Sequence, residues 1–192
     1  LSETIRICSA NLHKCRSANG LMAKYINDNN IDICLMQEPY VTTSGHIECF
    51  PRRQLHHKPT SSAAIRSAVV VSDTCSFRIE KINDPLSDHF AAIRVITSKA
   101  TIYLVSIYST PENLNLLQQN LAKARRVINA AASTRSPVIL VGDFNARHSD
   151  WQQPYNPHGG ELSDWMHMNN IQLLNDTSVM TYHGERGESL VD

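Results

Sequence analysis

The amino-acid sequence predicts a domain of the α/β class, because strand-like and helix-like segments alternate along its 192 residues. Residues 138–141 form a continuous aliphatic run after Pro137, which predicts a strand buried on both faces. Between Leu114 and Ala131, apolar residues recur on one helical face, which predicts a long amphipathic helix with Thr110 as its cap and Pro111 in its first turn. We find no internal repeat, low-complexity segment or linker, so residues 1–192 are expected to form a single domain.

Shorter apolar segments bounded by turn residues predict the other strands, and two more helices are expected between them. The stretch 41–67 contains prolines and basic residues without a regular pattern, so it is expected to be a long loop or an edge hairpin. The four strands between residues 68 and 108 follow one another closely, which favours an antiparallel meander. The further predicted strands cover residues 5–11, 31–38, 68–72, 77–82, 90–96, 101–108 and 171–174, and the further helices cover residues 17–29 and 161–169.

The composition argues against two classes of protein. No apolar run reaches the length of about 18 residues that a membrane-spanning helix requires, and no secretory signal is expected at the N-terminus. The five cysteines lack zinc-type spacing, so we interpret them as reduced thiols of an intracellular protein.

The net charge is zero with neutral histidines. Composition therefore gives no argument for a nucleic-acid partner, and any such argument depends on local sites.

Polar residues follow the predicted strands at the points where these strands end. Taken alone, an Asn or Asp there usually caps a turn, Glu38 fits a solvated residue before a proline, and Tyr108 fits a core ring. A Gly-Asp directly after a fully buried strand suits a mere turn poorly, so Asp143 and Asn145 favour a function. Phosphodiester hydrolysis needs oxygen ligands for a divalent cation, a base for water and donors to phosphate, and the set offers all three. The strand-end residues are Asn11, Glu38, Tyr108, Asp143, Asn145 and Asp192.

Five short motifs contain these residues, in the order Ser9-Ala10-Asn11-Leu12, Gln37-Glu38, Ser106-Ile107-Tyr108, Gly142-Asp143-Phe144-Asn145 and Ser189-Leu190-Val191-Asp192. Over nearly its whole length the chain thereby resembles the endonuclease/exonuclease/phosphatase superfamily. The segments 37–40 and 145–151 are more similar to the apurinic-type endonuclease domains of non-LTR retrotransposons than to repair enzymes. The resemblance implies a four-layered α/β sandwich, with two mixed β-sheets packed face to face and helices outside.

The resemblance also implies a role for each residue of the set. Glu38 would ligate Mg²⁺, with Mn²⁺ as an alternative ion, and Asn11 would lie beside it. Asp143 would orient and deprotonate the attacking water, while Asn145 would hydrogen-bond a phosphate oxygen. Tyr108 would stabilise the charged transition state.

The end of the chain departs from the family pattern. Asp192 matches a family aspartate that orients a catalytic histidine, but the final Ser-Asp-His segment of the family would follow it on a further strand. We therefore expect an endonuclease domain that lacks its C-terminal strand. A Ser87-Asp88-His89 triplet occurs upstream of Tyr108, which is the wrong place in the family order. We interpret this triplet as a turn before the strand at 90–96.

Two groups of residues are candidates for contacts with DNA. Arg52, Arg53 and Lys58 belong to a basic cluster, which is either an ordinary solvated loop or a set of phosphate contacts. His148 and Trp151 either pack the loop after Asn145 or contact the substrate.

The function implied by the resemblance is that of a Mg²⁺-dependent DNA endonuclease. It would nick double-stranded DNA and leave a 3′-hydroxyl that primes reverse transcription of a non-LTR retrotransposon. Its partner would be a reverse transcriptase domain in the same polyprotein. The protein would be located in the nucleus, and no membrane partner is expected. Two alternatives stay open: an abasic-site repair nuclease or phosphatase of the same superfamily, and a non-catalytic DNA-binding module.

Overall fold

Two four-stranded β-sheets face each other in the computed structural model. The structure describes residues 4–51, 54–58, 64–82, 84, 86–176 and 179, and the backbone of residues 182–184 and 187–189. The strands are β1 (Ile7–Asn11), β2 (Ile33–Gln37), β3 (Leu55–His56), β4 (Ser67–Val71), β5 (Arg78–Lys81), β6 (Phe90–Ile96), β7 (Thr101–Tyr108), β8 (Val138–Asp143), β9 (Tyr182–Gly184) and β10 (Gly187–Ser189). The helices are α1 (Arg16–Asp28), α2 (Leu114–Ser133) and α3 (Pro157–Met168), and a 3-10 turn covers Ser149–Trp151.

Each of these sheets combines parallel and antiparallel pairs of strands. The first sheet has the order β1-β2-β4-β3, and β1 is parallel to β2. The second sheet has the order β5-β6-β7-β8, and β7 is parallel to β8. The other neighbours in both sheets are antiparallel, as are β9 and β10, which form a separate pair. Both large sheets are therefore mixed, as the resemblance predicts.

The layers on either side of the sheets explain why the central strands do not alternate between apolar and polar residues. In β2, Ile33 and Leu35 pack toward the second sheet, whereas Cys34 and Met36 pack toward α1. The outer face of the second sheet is covered by apolar residues of α2 and α3. The order of layers is helix, sheet, sheet, helix, so the predicted four-layered sandwich is confirmed.

Two predicted strands differ in the structure. The prediction of a strand at 171–174 is wrong, because the Ile171 amide donates to the carbonyl of Met166 (2.9 Å) and ends α3 instead of pairing with a strand. β4 forms as predicted, but it pairs with β2 in the first sheet, so the meander contains β5, β6 and β7 without it. The stretch 41–67 contributes the short edge strand β3, in agreement with an edge hairpin.

The helices end close to the predicted positions, but two begin elsewhere. The prediction of Thr110 as the cap of α2 is wrong, because α2 begins at Leu114 with Asn113 as its cap, and α3 starts one turn earlier than predicted. Asn156 caps α3 by accepting a hydrogen bond from the Gly159 amide at 2.7 Å, and Pro157 occupies the first turn. This Asn-Pro pair is the sequence signal for the start of the helix. None of the helices in the described part of the chain is long and apolar enough to cross a membrane.

Gly142 in β8 lies so close to β7 that a side chain has no space there. A Cβ atom at Gly142 would lie 2.0 Å from the carbonyl oxygen of Ile107, whereas a Cβ atom at Gly20 in α1 would be 4.0 Å from Cys49 Sγ. We expect Gly142→Ala to lower the free energy of unfolding by about 3 kcal/mol, because β8 must move away from β7. Gly20→Ala should raise it by about 0.5 kcal/mol through helix propensity. Urea unfolding followed by circular dichroism measures both, and equal effects would contradict the close approach of the strands.

Candidate active site

Four of the predicted site residues lie at one end of the sandwich. β1 ends at Asn11 beside the end of β2, and β7 ends at Tyr108 beside Asp143 at the end of β8. Both pairs are parallel, so their carboxyl ends meet at the same edge of each sheet, where α/β folds commonly place functional groups. Glu38 directly follows β2. The structure therefore brings together Asn11, Glu38, Tyr108 and Asp143.

A hydrogen bond between Asn11 and Asp143 joins the two sheets at this end. The Asn11 amide nitrogen Nδ2 donates to Asp143 Oδ2 at 2.7 Å, across 132 positions of sequence. The other oxygen of Asp143 accepts from the backbone amide of Asn145 at 3.1 Å, and the Asn11 oxygen accepts from the backbone amide of His13 at 2.9 Å. Both oxygens of the Asp143 carboxylate are thus oriented, and the residue is 7% exposed.

Glu38 is the second carboxylate of the site, and its backbone has the left-handed conformation (φ 46°), which is uncommon for a residue other than glycine. Its amide donates to the carbonyl of Arg66 at 2.8 Å, and its carbonyl accepts from the amide of Lys14 at 2.7 Å. Lys14 Nζ also lies 2.8 Å from Glu38 Oε1. Burial acts to raise the pKa of Glu38, but Lys14 and the Tyr108 hydroxyl outweigh burial and lower the pKa. The carboxylate is therefore ionised at neutral pH.

The Tyr108 hydroxyl faces Glu38 from the second sheet. Burial and the negative charge of Glu38 raise the pKa of Tyr108, and Asp143 acts in the same direction. The hydroxyl therefore keeps its proton and serves as a hydrogen-bond donor. Asn120 of α2 orients the strand end, because its Nδ2 donates to the Tyr108 carbonyl at 3.0 Å.

A buried polar network connects the sheets just before the strands end. Gln37 Nε2 donates to Ser106 Oγ at 3.0 Å, and Ser106 Oγ donates to the carbonyl of Met36 at 3.1 Å. Ser67 Oγ of β4 donates to the carbonyl of Ser106 at 2.8 Å. Gln37, Ser67 and Ser106 are all 0% exposed. These bonds fix β2 and β4 against β7 immediately beneath Glu38 and Tyr108.

Asn145 extends the site beyond Asp143 and also has a left-handed backbone, with φ 49°. Its Nδ2 donates to the carbonyl of Ser109 at 2.9 Å, so the side chain turns toward the end of β7. The N-cap residue Asn156 holds this loop, because its Nδ2 donates to the Asn145 carbonyl at 2.9 Å and its Oδ1 accepts from the Arg147 amide at 2.9 Å. The predicted contact between Asn145 and phosphate stays a prediction.

The candidates for contacts with DNA are placed differently from one another. Trp151 is 5% exposed and donates through Nε1 to the carbonyl of Ala146 at 3.2 Å, which favours packing of the loop over contact with substrate. The His148 ring lies 5.4 Å from the Trp151 ring, at the edge of the same loop. Lys58 lies on the other flank, with Nζ 3.8 Å from Asp88 Oδ1. Arg52, Arg53 and Asp192 lie outside the described residues.

The Ser87-Asp88-His89 triplet forms a turn as predicted, with a β-bridge between Ser87 and Phe90. It is nevertheless part of the site, because the His89 ring stacks on the Tyr108 ring, with centroids 5.8 Å apart and planes inclined by 15°. The signal that locates it is strand pairing: Phe90 pairs with Ile107 in the antiparallel register, so His89 lies opposite Tyr108. Lys14, Asn120 and Asn156 were also missed, since their contacts depend on the packing of distant segments.

The oxygen atoms of the site fit a magnesium ion. No group of three or more His, Cys, Asp or Glu side chains that could hold a metal occurs among the residues that the structure describes. Mg²⁺, however, commonly uses only one or two carboxylates and keeps several waters. Glu38 provides an ionised carboxylate whose present counter-ion is the Lys14 ammonium group, and Asn11 provides an amide oxygen that accepts from the His13 amide. A cation at Glu38 would therefore replace the charge of Lys14.

A cavity of about 820 Å³ opens beside Asn11 and Asp143, along the edges of β1 and β8. Much of its wall is apolar, including Leu162, Trp165 and Met166 of α3. Asn11 and Asp143 form part of its polar wall.

The order of layers and the position of the strand-end residues agree with the class of proteins that the motifs resemble, the endonuclease/exonuclease/phosphatase superfamily. Residues 102–192 match a family model described as endonuclease-reverse transcriptase. No curated protein sequence matches the chain. The family match confirms the resemblance over the segment that contains Tyr108, Asp143 and Asn145, and it supports a nuclease or phosphodiesterase.

Solved structures with the same fold include the endonuclease domain of TRAS1, a telomere-specific non-LTR retrotransposon. That domain is 22% identical with a TM-score of 0.80, and the match covers 98% of this chain and 83% of that one. A humanized D. rerio TDP2 with 14 mutations is 15% identical with a TM-score of 0.52, and the match covers 76% of this chain and 68% of that one. TDP2 from Caenorhabditis elegans is 15% identical with a TM-score of 0.52, covering 80% of this chain and 50% of that one. At these identities the likeness shows the fold.

Asn156 and Asn113 cap two different helices, and only Asn156 also touches the site. The side chain of Asn113 accepts a hydrogen bond from the Leu116 amide at 2.9 Å and has no other bond among the described residues. We expect Asn113→Ala and Asn156→Ala each to lower the free energy of unfolding by about 1–2 kcal/mol. Only Asn156→Ala should also slow DNA nicking, by about tenfold or more, because the loop of Asn145 loses its support. Nicking assays at a temperature where both variants are folded measure this, and equal rates for the two variants would contradict a role of Asn156 at the site.

Proposed function

We propose that the chain is a Mg²⁺-dependent DNA endonuclease domain of a non-LTR retrotransposon. It nicks double-stranded DNA and leaves a 3′-hydroxyl that primes reverse transcription, in the nucleus, by a reverse transcriptase domain of the same polyprotein. The observation that carries the proposal is the meeting of the two sheets, where Asn11 bonds Asp143 at 2.7 Å and Tyr108 faces Glu38. The family match over residues 102–192 supports it.

In the proposed mechanism, Asp143 is the base that orients the attacking water and takes its proton. The side-chain nitrogen of Asn11 donates to one oxygen of Asp143, and the backbone amide of Asn145 donates to the other. These two bonds hold the carboxylate in one orientation. This arrangement positions the water without further movement of the side chains.

Glu38 and Asn11 would hold Mg²⁺, which when bound supplies positive charge for the phosphate oxygens. Tyr108 and Asn145 provide donors from the second sheet. The Tyr108 hydroxyl keeps its proton because burial and Glu38 raise its pKa, so it can donate to an oxygen on which negative charge develops. The side-chain amide of Asn145, which also bonds the Ser109 carbonyl, would donate a hydrogen bond to the same phosphate. Two donors and two carboxylates therefore surround the place where the phosphate would lie.

Nicking of supercoiled plasmid tests the proposed activity. We expect open-circle product in Mg²⁺ and none in EDTA. Asp143→Asn should slow nicking by at least about 100-fold, because the amide keeps the shape of the side chain but cannot take a proton. Asp164→Asn is the matched control, since Asp164 is exposed on α3, away from the strand ends. It should leave the rate unchanged.

The same assay distinguishes the proposal from its alternatives. Nicking that persists in EDTA or in Asp143→Asn would contradict the metal dependence or the role of Asp143. Duplex binding without nicking would favour a DNA-binding module. Cleavage of a duplex with an abasic site, in strong preference to the intact duplex, would favour a repair nuclease.

A further inference from the structure

Three pairs of residues face one another across the gap between the sheets at the site. In each pair, one residue lies at the end of the first sheet and the other at the end of the second. The register of the strands sets their order, since β1, β2 and β4 are neighbours in the first sheet and β8, β7 and β6 are neighbours in the second. The first pair is Asn11 and Asp143, the second is Glu38 and Tyr108, and the third is Arg66 and His89.

The third pair is fixed to the second by backbone hydrogen bonds. The carbonyl of Arg66 accepts from the Glu38 amide at 2.8 Å, and the carbonyl of His89 accepts from the Tyr108 amide at 3.0 Å. The Arg66 amide donates to the carbonyl of Asp88 at 2.6 Å, which connects the two sheets. The His89 ring lies parallel to the Tyr108 ring. The third pair is thus built into the site and does not belong to a separate surface.

The third pair differs from the other two in its chemistry. In the first and second pairs a carboxylate meets a hydrogen-bond donor, whereas the third pair combines a guanidinium with an imidazole. Within the described residues, no hydrogen bond or ion pair neutralises the Arg66 guanidinium, and His89 Nδ1 is buried without a hydrogen-bond partner. Burial lowers the pKa of His89 and outweighs a hydrogen bond with the Tyr108 backbone, which acts to raise it, while the charge of Arg66 lowers the pKa further. The imidazole is therefore neutral and has one N–H donor. The pair offers N–H donors and one positive charge, and its only acceptor is the unprotonated ring nitrogen of His89.

Two lysines extend this positive charge. Lys58 lies 3.8 Å from Asp88 Oδ1, beyond hydrogen-bond distance. Burial lowers the pKa of Lys123 on α2, and the charge of Lys58 lowers it further, while Asp88 opposes both. Lys58 and Lys123 therefore lie near the carboxylate of Asp88, whose backbone carbonyl is bonded to the Arg66 amide. An anion at this place would relieve the repulsion among them.

We propose that Arg66 and His89 form a subsite for a backbone phosphate of DNA next to the phosphate that is cleaved, with Lys58 and Lys123 at its outer rim. The inference rests on the proposed function of the neighbouring site. Adjacent strands lie about 4.8 Å apart, so the third pair is roughly 10 Å from the first. This distance is too great for one phosphate to contact both. The subsite lies on the side of Tyr108 away from Asp143, and it fixes the direction in which the DNA strand leaves the site.

The salt dependence of DNA binding tests the charge of the subsite. We would measure Kd for a fluorescent 20-base-pair duplex in EDTA over a series of salt concentrations, for the wild type and for Arg66→Gln, Arg66→Lys and Lys99→Gln. Arg66→Gln should weaken binding about tenfold and reduce the slope of log Kd against log salt by about 0.9, the loss of one phosphate contact. Arg66→Lys should keep the slope. Lys99 lies in the turn between β6 and β7 at the far end of the sheet, so Lys99→Gln should behave as the wild type.

A His89→Phe variant tests the second member of the pair, because phenylalanine preserves the stack on Tyr108 and removes both ring nitrogens. We expect the KM for plasmid nicking to rise about threefold to tenfold through the lost hydrogen bond, with kcat within about twofold of the wild type. A fall in kcat at constant KM would instead mean that His89 only positions Tyr108, and would overturn its place in the subsite.

The failure of the subsite can be distinguished from the failure of the proposed function. If the wild type binds and nicks DNA but Arg66→Gln keeps the slope of Lys99→Gln, the subsite is overturned and the proposed function stands. If the wild type binds DNA with a slope that Arg66→Gln reduces, yet nicks nothing in Mg²⁺, the subsite stands without the endonuclease. A wild type that binds no duplex overturns both.

Discussion

The hydrogen bonds between the ends of the two sheets are the constraint on which the rest of the site depends. Gln37, Ser67 and Ser106 bond one another in the buried layer beneath it, so sliding one sheet along the other would leave buried polar groups unpaired. Apolar packing alone is non-directional and would fix this alignment less tightly. The directional bonds place β1 and β8 so that Asn11 meets Asp143, although the two residues are 132 positions apart in the sequence.

Four of the nine non-glycine residues with positive φ in the described part of the chain lie at the same end of the sandwich. His13, Lys14, Glu38 and Asn145 all have positive φ, between 46° and 55°. Each such residue costs of order 1 kcal/mol or more relative to a relaxed conformation, and glycine would avoid most of that cost. In two of the four, the side chain is needed, since Lys14 neutralises Glu38 and Glu38 faces Tyr108. The local structure is therefore arranged for the chemistry of these side chains at the expense of stability.

The sequence predicts the strand-end residues well, because a strand buried on both faces must end where the chain reaches the edge of its sheet. Asn11, Glu38, Tyr108 and Asp143 follow from this rule together with the motifs. The sequence could not predict that His89 belongs to the site, because its Ser-Asp-His triplet comes before Tyr108 in the chain. Only the register of β6 against β7 shows that His89 lies opposite Tyr108. The strand expected at 171–174 has the right apolar residues, but the Ile171 amide is used by the end of α3. The spacing of apolar residues indicates which side chains are buried, but it does not indicate which groups the backbone amides bond.

A chain with zero net charge can bind a polyanion only through charges that are not already paired. On the surface, Arg16, Lys24 and Arg126 each have a carboxylate partner, so they add little to the field around the molecule. At the site, Lys14 forms an ion pair with Glu38. The Arg66 guanidinium therefore does not have the Glu38 carboxylate as a close partner. Arg66 therefore adds positive charge beside Tyr108. Such a protein would attract DNA weakly from a distance and hold it mainly where the strand enters the site.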